Sequence, residues 1–347
     1  MTPVNTALVG FGPAGKILHT PLIKAAGLNL STVVSSRPDD VHADLPGVKV
    51  CDFETLLADP AVELVVVATP NDLHAPQAIA ALKAGKHVVV DKPFGTSISE
   101  AENVVATAKA ANRLVTVFHN RRWDGDFLTV KHLVESGTLG EVSLLISRFD
   151  RFRPLLRNRW REDPAPGTGV WYDLGPHLGD QALTLFGQPD AVSADMAAQR
   201  DGSQVTDYFH VTLHYGTRRV RLQGGCLTPA PGPRYEVHGH LGSYVKYGLD
   251  AQEDHLRAGI AIGDERWGVN SDGVLTPVSG IDPQPPHAYP TERGRWTSFY
   301  EGVAAAVRGT APLPVLPEEA LNVMRLLDTA RESAEQGRVI RFKKGLS

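Results

Sequence analysis

The first third of the chain alternates short apolar runs with stretches whose apolar residues recur every three or four positions. "TALVGFGPAGKIL" opens with a short strand, Ala7–Val9. Further runs follow in "NLSTVVSS" (29–36), "ELVVVATP" (63–70), "HVVVDKP" (87–93) and "LVTVFHN" (114–120). Between them, "DFETLLAD", "HAPQAIAALKAG" and "SISEAENVVATAKAAN" carry helical periodicity. Strands apolar on both faces, alternating with helices, predict an α/β domain with a parallel doubly wound sheet over residues 1–120. One irregularity stands out: Thr20-Pro21 reads as an N-cap followed by a first-turn proline. The first helix is therefore expected to stop near Leu18 and restart at Pro21.

After Asn120 the pattern changes. "FLTVKHLVESG" is helical, whereas "EVSLLISRFDRFRP", "DYFHVTLHYGTRRVRLQGGCL" and "RYEVHGHLGSYVKYG" alternate with period two and turn at places such as Tyr215-Gly216-Thr217. This predicts an α+β domain with an open, mainly antiparallel sheet over residues 121–347. "PEEALNVMRLLDTARESAEQG" is an amphipathic helix with Ala320, Val323, Met324, Leu327, Ala330 and Ala334 as its buried stripe. "GIDPQPPHAYP" (280–290) reads as a surface loop. In "GTGVWYDLGPHLGDQALTLFG", Pro176 and Gly187 bracket a helix with Leu178, Ala182, Leu185 and Phe186 on its inner face. His177, Asp180, Gln181 and Thr184 would then lie on the remaining surface, with His177 in the first turn, where the helix dipole favours a neutral imidazole.

Ligands of parallel sheets bind at the carboxyl ends of the strands. At the first such end stands Gly10-Phe11-Gly12-Pro13-Ala14-Gly15. Gly10 permits the tight turn, Gly12 lets the backbone approach a pyrophosphate, and Gly15 lets the helix pack closely; helix N–H groups would meet the phosphates. Thr69, Pro70, Asn71, His74, Lys92, Pro93 and Asn120 fall at or just beyond the other ends, around the rim of the expected cofactor crevice. The second strand finishes with Ser35, Ser36 and Arg37 where an NAD-selective site usually has an acid. A guanidinium beside hydroxyls suits a 2′-phosphate, which favours NADP. NAD remains possible, served by Asp39 or Asp40.

Composition narrows the partners. The chain has 347 residues, 42% hydrophobic and 21% charged, with a formal net charge of −4. That is an ordinary soluble composition and does not fit a general nucleic-acid or membrane-surface binder. The first residues lack a basic segment followed by an apolar core, and no apolar run reaches membrane-spanning length, so a cytoplasmic location is expected. Cys51 and Cys226 lie far apart with no metal-ligand spacing; both are read as packing residues, and no metal is expected.

These motifs, in this order, resemble the glucose–fructose oxidoreductase/inositol dehydrogenase (Gfo/Idh/MocA) family. The resemblance runs end to end through "GFGPAGK", "ATPNDLHAPQAIAALKAGKHVVVDKPF" and "WYDLGPHLGDQ". "FHNRRWDGDFLT", "NRWRED", "AQRDGSQVTDYFHVTLHYG", "GPRYEVHG" and "YGLDAQEDHLRAG" resemble its NADP-dependent scyllo-inositol 2-dehydrogenase branch more closely. The resemblance implies a Rossmann domain, then an open-sheet domain that often assembles into homodimers or homotetramers. It also implies reversible hydride transfer between nicotinamide and a polyol or sugar carbinol. The family's E-K-P motif corresponds to Asp91-Lys92-Pro93, giving Lys92 the catalytic-lysine place; Asp91 is one methylene shorter than the usual glutamate. The family's D-x-x-x-H pair falls on Asp173 and His177.

In oxidation His177 would be the base and Asp173 would position the hydroxyl or imidazole, while Lys92 favours alkoxide charge. In "RFDRFRPLLRNRWRED", Arg151 and Arg153 share a face if the segment is a strand, as do Arg157, Arg159 and Arg161. They suit an anionic group or several polyol oxygens, or they balance Asp150, Glu162 and Asp163; Arg159 and Trp160 are the substrate candidates to test first. Three other readings stay open: a dehydrogenase of another sugar or sugar acid, an NADP-binding sensor without turnover, and glycoside cleavage through transient oxidation by tightly held NAD.

Overall fold

A computed structural model describes residues 3–157 and 159–343, which leaves Asn158 of "NRWRED" outside the described residues. The chain divides into two compact units. The first runs through Asn120 and also takes in residues 252–267 and 295–321; the second holds the remainder.

The first unit contains a six-stranded parallel sheet of order β3-β2-β1-β4-β5-β6. Its strands are β1 (Asn5–Val9), β2 (Asn29–Val34), β3 (Lys49–Cys51), β4 (Leu64–Val67), β5 (His87–Val90) and β6 (Val115–Val117). Its helices are α1 (Thr20–Ala25), α2 (Pro38–Asp44), α3 (Phe53–Ala58), α4 (Asn71–Lys83) and α5 (Ile98–Ala111). Every residue of β4 is buried, as a central strand covered on both faces requires. The strand order reverses between β1 and β4, the switch point at which such sheets bind ligands. Ser97 caps α5 by accepting from Glu100 N–H at 3.2 Å, and Asp52 caps α3 by accepting from Thr55 N–H at 2.7 Å.

The expected break near Leu18 does not occur. Ala14–His19 form a π-helical turn that runs directly into α1. Thr20 N–H reaches back five residues to the Gly15 carbonyl, and Thr20 Oγ1 donates to the same oxygen at 2.8 Å. Widening the turn lets the helix pass Pro21, which has no N–H and would crowd the carbonyl four residues back.

The second unit is built on a mixed, mostly antiparallel sheet. Its chain runs through α6 (Gly125–Glu135), β7 (Val142–Arg148), α7 (Gly169–Phe186), β8 (Ala191–Ala197), β9 (Tyr208–Tyr215), β10 (Arg218–Gly225), β11 (Tyr235–Gly239) and β12 (Gly242–Lys246). After α8 (Gln252–Arg257), in the first unit, come β13 (Gly273–Ser279), β14 (Asp282–Pro283) and β15 (His287–Tyr289). The chain ends with α9 (Thr297–Val307), in the first unit, then α10 (Pro317–Gln336) and β16 (Ile340–Arg341). The sheet order is β14-β13-β12-β11-β7-β10-β9-β8-β16, with β15 also on β13 and only β7 and β10 parallel. The segment 280–290, expected as a loop, thus supplies two short edge strands, although most of it is exposed.

Alternation places Phe209, Val211 and Leu213 of β9 and Val220 and Leu222 of β10 in the core. Full burial of each such side chain contributes about 1.5–3 kcal/mol. Trp171 of α7 meets Phe209 edge-on at 4.9 Å and donates Nε1–H to the Leu327 carbonyl of α10 at 3.1 Å. Gly179 lets α7 approach Leu326, since a Cβ there would come within 2.9 Å of it. The α10 stripe is buried from Ala320 to Ala330, whereas Ala334 is half-buried.

Candidate active site

The glycine loop after β1 has the geometry of a dinucleotide cradle. Gly10 has φ +95, and a Cβ there would come within 2.7 Å of the Ala68 carbonyl oxygen. A Cβ on Gly15 would strike the Gly10 carbonyl. A Cβ on Gly12, by contrast, would meet nothing within 4 Å. Protein packing explains two of the three glycines; the space over Gly12 is open to a pyrophosphate. Phe11 is buried, while Pro13 and Ala14 complete the turn into the helix.

At the end of β2, Ser36 and Arg37 precede α2. Arg37 pairs with Asp40 at 3.2 Å, but both side chains are more than half exposed, so the pair is worth little and readily exchanged for a phosphate. A cavity of about 780 Å³ beside the loop, walled by Phe11, Lys16, Asp44, Leu45 and Arg257, contains none of the residues at the ends of β4 and β5.

Those two ends are tied together by one side chain. His74, in the first turn of α4 and almost fully buried, places Nδ1 2.7 Å from the Pro93 carbonyl and Nε2 2.9 Å from the Thr69 carbonyl. Burial pushes its pKa down, against Asp91 and the two carbonyls, which favour the charged ring. With both nitrogens facing backbone, His74 acts as a brace between the Thr69-Pro70 and Lys92-Pro93 loops. Thr69 donates from its hydroxyl to Gln77 at 2.8 Å, and Asn71 and Asn120 are buried. The Lys92-Pro93 peptide is cis, Lys92 is half-buried, and its backbone N–H donates to Asp91 Oδ1 at 2.8 Å. The aspartate thus turns inward, into the body of the first unit.

In the second unit, α7 starts at Gly169 rather than at Pro176, which lies inside the helix. Three expectations change with it. Asp173 is within the helix, one turn before His177 on the same face. His177 is a mid-helix residue, so the helix-dipole argument for its neutrality does not hold. His177, Asp180 and Gln181 are buried, whereas Leu185 and Phe186 are only half-buried. The polar positions are buried because distant residues satisfy them. Arg122 clamps Asp180 through Nε and Nη2 at 2.9 and 2.6 Å. Gln181 donates to the Arg121 carbonyl at 2.7 Å and accepts from Arg234 at 2.9 Å and Tyr235 at 2.7 Å.

Asp173 accepts from Arg151 Nη1 at 2.9 Å, and Arg161 lies 4.0 Å from its other oxygen. Strand β7 stops at Arg148, and beyond it Phe152 forms an antiparallel bridge with Leu227. The backbone N–H groups of Arg151 and Arg153 stay paired with the carbonyls of Gly225 and Cys226, at 2.9 and 2.7 Å, while the Arg151 side chain reaches Asp173. Arg161 stacks 4.4 Å from the ring centroid of Trp160, which is half-buried, while Arg159 is exposed. The Arg151–Asp173 pair had no local signal, because 22 residues separate its members.

Among the described residues no helix is long and apolar enough to cross a membrane, and no group of three or more His, Cys, Asp or Glu could hold a metal. Both cysteines are free thiols, with Cys226 buried and Cys51 half-buried.

Comparison with known proteins agrees with this construction. Residues 4–119 match the model described as oxidoreductase family, NAD-binding Rossmann fold, and residues 131–342 that described as oxidoreductase family, C-terminal alpha/beta domain, both of Gfo/Idh/MocA type. The chain is 48% identical over 335 residues to the uncharacterized oxidoreductase YdgJ of Escherichia coli K12, covering 96% of each. It is 40% identical over 342 residues to the scyllo-inositol 2-dehydrogenase (NADP(+)) IolW of Bacillus subtilis, covering 97% of this chain and 95% of that one. The solved structure of the Bacillus subtilis oxidoreductase yvaA superposes with a TM-score of 0.95 at 40% identity, covering 98% of both chains. With both halves matched and relatives this similar over nearly their full length, the chain belongs to the Gfo/Idh/MocA oxidoreductase family and is an NAD(P)-dependent dehydrogenase.

Proposed function

We propose that the protein oxidises a ring carbinol of a polyol or sugar with NADP, and that scyllo-inositol is the substrate to test first. The observation that carries this reading is Ser36-Arg37 at the end of β2, where an NAD site would place an acid, in a chain 40% identical to an enzyme named for NADP and scyllo-inositol.

When bound, the nicotinamide supplies the hydride acceptor. The rest falls to the chain. Gly12 leaves room for the pyrophosphate, and Arg37 with Ser36 holds the 2′-phosphate. The His74 brace fixes the loops that carry Thr69 and Lys92. Lys92 places positive charge where the alkoxide develops, His177 takes the hydroxyl proton, and Asp173, held by Arg151, orients the group that transfers it. Arg159 and Trp160 contact the ring's remaining hydroxyls.

Two measurements test this reading. The protein is expected to reduce NADP with at least one member of a stereochemically varied inositol and aldose panel; no reduction with any member would overturn it. Arg37→Ala is expected to weaken NADP by about 1.5–3 kcal/mol, roughly ten- to a hundredfold, while leaving NAD affinity unchanged. Equal weakening of both cofactors would remove the 2′-phosphate role.

A further inference from the structure

Behind Lys92 lies a chain of buried polar groups that the reaction scheme does not use. Asp91 is 7% exposed, and burial alone would favour its protonated form. Its carboxyl is nevertheless held well below the usual carboxylate range, because His19, Lys92 and His74 together outweigh burial. His19, from the π turn, is fully buried, with its ring 4.3 Å from that of Phe118. Its Nδ1 is 2.6 Å from the hydroxyl of Tyr300 on α9. Its Nε2 is 3.8 Å from Asp91 Oδ2 and has no hydrogen-bond partner among the described residues. That distance is electrostatic contact rather than a hydrogen bond.

The direction of this chain follows from charge. Burial and the nearby Asp91 push the Tyr300 phenol well above its ordinary value, so Tyr300 keeps its proton and can donate it to Nδ1. The imidazole then carries its hydrogen on Nε2, facing the carboxylate. The opposite tautomer would set a nitrogen lone pair against an anion in a dry interior, which is repulsive. Asp91 Oδ1, in turn, accepts the Lys92 backbone N–H at 2.8 Å.

We propose that His19 and Tyr300 are positioning residues for Lys92: through Asp91 they form a one-directional chain that keeps a fixed anion under the turn carrying the lysine. This rests on the reading of Lys92 as the group that stabilises alkoxide. The groups facing Asp91 are His19 from the π turn, His74 from α4, Lys92 on its own turn and Tyr300 from α9.

Tyr300→Phe removes one hydroxyl and keeps the ring packing; His19→Gln and Asp91→Asn are the companions. In Tyr300→Phe, kcat is expected to fall about three- to tenfold while the NADP dissociation constant changes less than about twofold. His19→Gln is expected to act in the same direction and further. Adding Tyr300→Phe to Asp91→Asn is expected to change kcat by less than about twofold, because the second change acts only through the first. Additive losses in the double variant would overturn the proposal.

A melting series tests the chain without turnover. Asp91, depressed in the folded protein, contributes stability above the unfolded carboxylate value of about 4 and loses it as pH falls toward its folded value. The gap in melting temperature between wild type and Tyr300→Phe is therefore expected to be widest near neutral pH and to close in acid; a pH-independent gap overturns the chain. If the wild type reduces no cofactor with any substrate, the dehydrogenation scheme fails, and the melting series still decides whether the chain fixes the anion.

Discussion

Lys92→Met is expected to lower kcat at saturating substrate by about two to four orders of magnitude while changing the NADP dissociation constant less than about threefold. Methionine keeps most of the length and the apolar body of lysine but carries no charge. The backbone N–H of residue 92 would still donate to Asp91, and His74 would still brace Pro93, so the loop is expected to stay in place. What is lost is a positive charge that matters only as the carbinol oxygen becomes negative. An interaction of that kind lowers kcat and kcat/KM together and leaves ground-state binding alone. Steady-state kinetics beside a fluorescence titration of NADPH separates the two. A variant that keeps near-normal turnover would show that Lys92 is not part of the chemistry.

The second large effect is expected at His177. His177→Ala is expected to lower kcat by about two to four orders of magnitude, and added imidazole to restore part of it, because a soluble base can enter the vacated space. The residue is only 7% exposed, so truncation also leaves a void in α7. His177→Gln, closer in volume, separates the two losses: it is expected to recover melting temperature without recovering turnover. Recovery of turnover in the glutamine variant would assign His177 a packing role. The profile of kcat/KM against pH should also lose its dependence on a titrating base.

The parallel sheet was legible because its central strands are so one-sided in composition: Val65, Val66, Val67, Val88, Val89 and Val90 allow no polar face. The weak points were short or locally ambiguous. Strand β3 spans three residues and begins on an exposed lysine, and α2 spans seven and opens on Pro38, so neither shows enough periodicity to register. Pro176 misled for a different reason. Proline at a helix start is common, but here it sits inside α7, where Gly175 lies so close to Trp171 that a Cβ would approach its ring to 2.6 Å.

The catalytic candidates were readable as motifs, whereas their environments were not. Asp180 and Gln181 look like surface positions until Arg122, Arg234 and Tyr235 arrive from elsewhere in the chain. Asp91 looked like a shortened acid with lost reach. It turns inward towards His19, whose other nitrogen meets Tyr300 more than two hundred positions further along the chain, and no local pattern could announce that arrangement.

The π turn at Ala14–His19 also sets a phase. Each residue of a regular helix advances the next by about 100°. Shortening this turn by one residue would therefore rotate everything after it relative to everything before it. Gly15 against the Gly10 carbonyl and His19 against Tyr300 could then no longer both be kept. A relative that lacks that extra residue has to compensate at one contact or the other, and the alignment gap between the two chains would mark where.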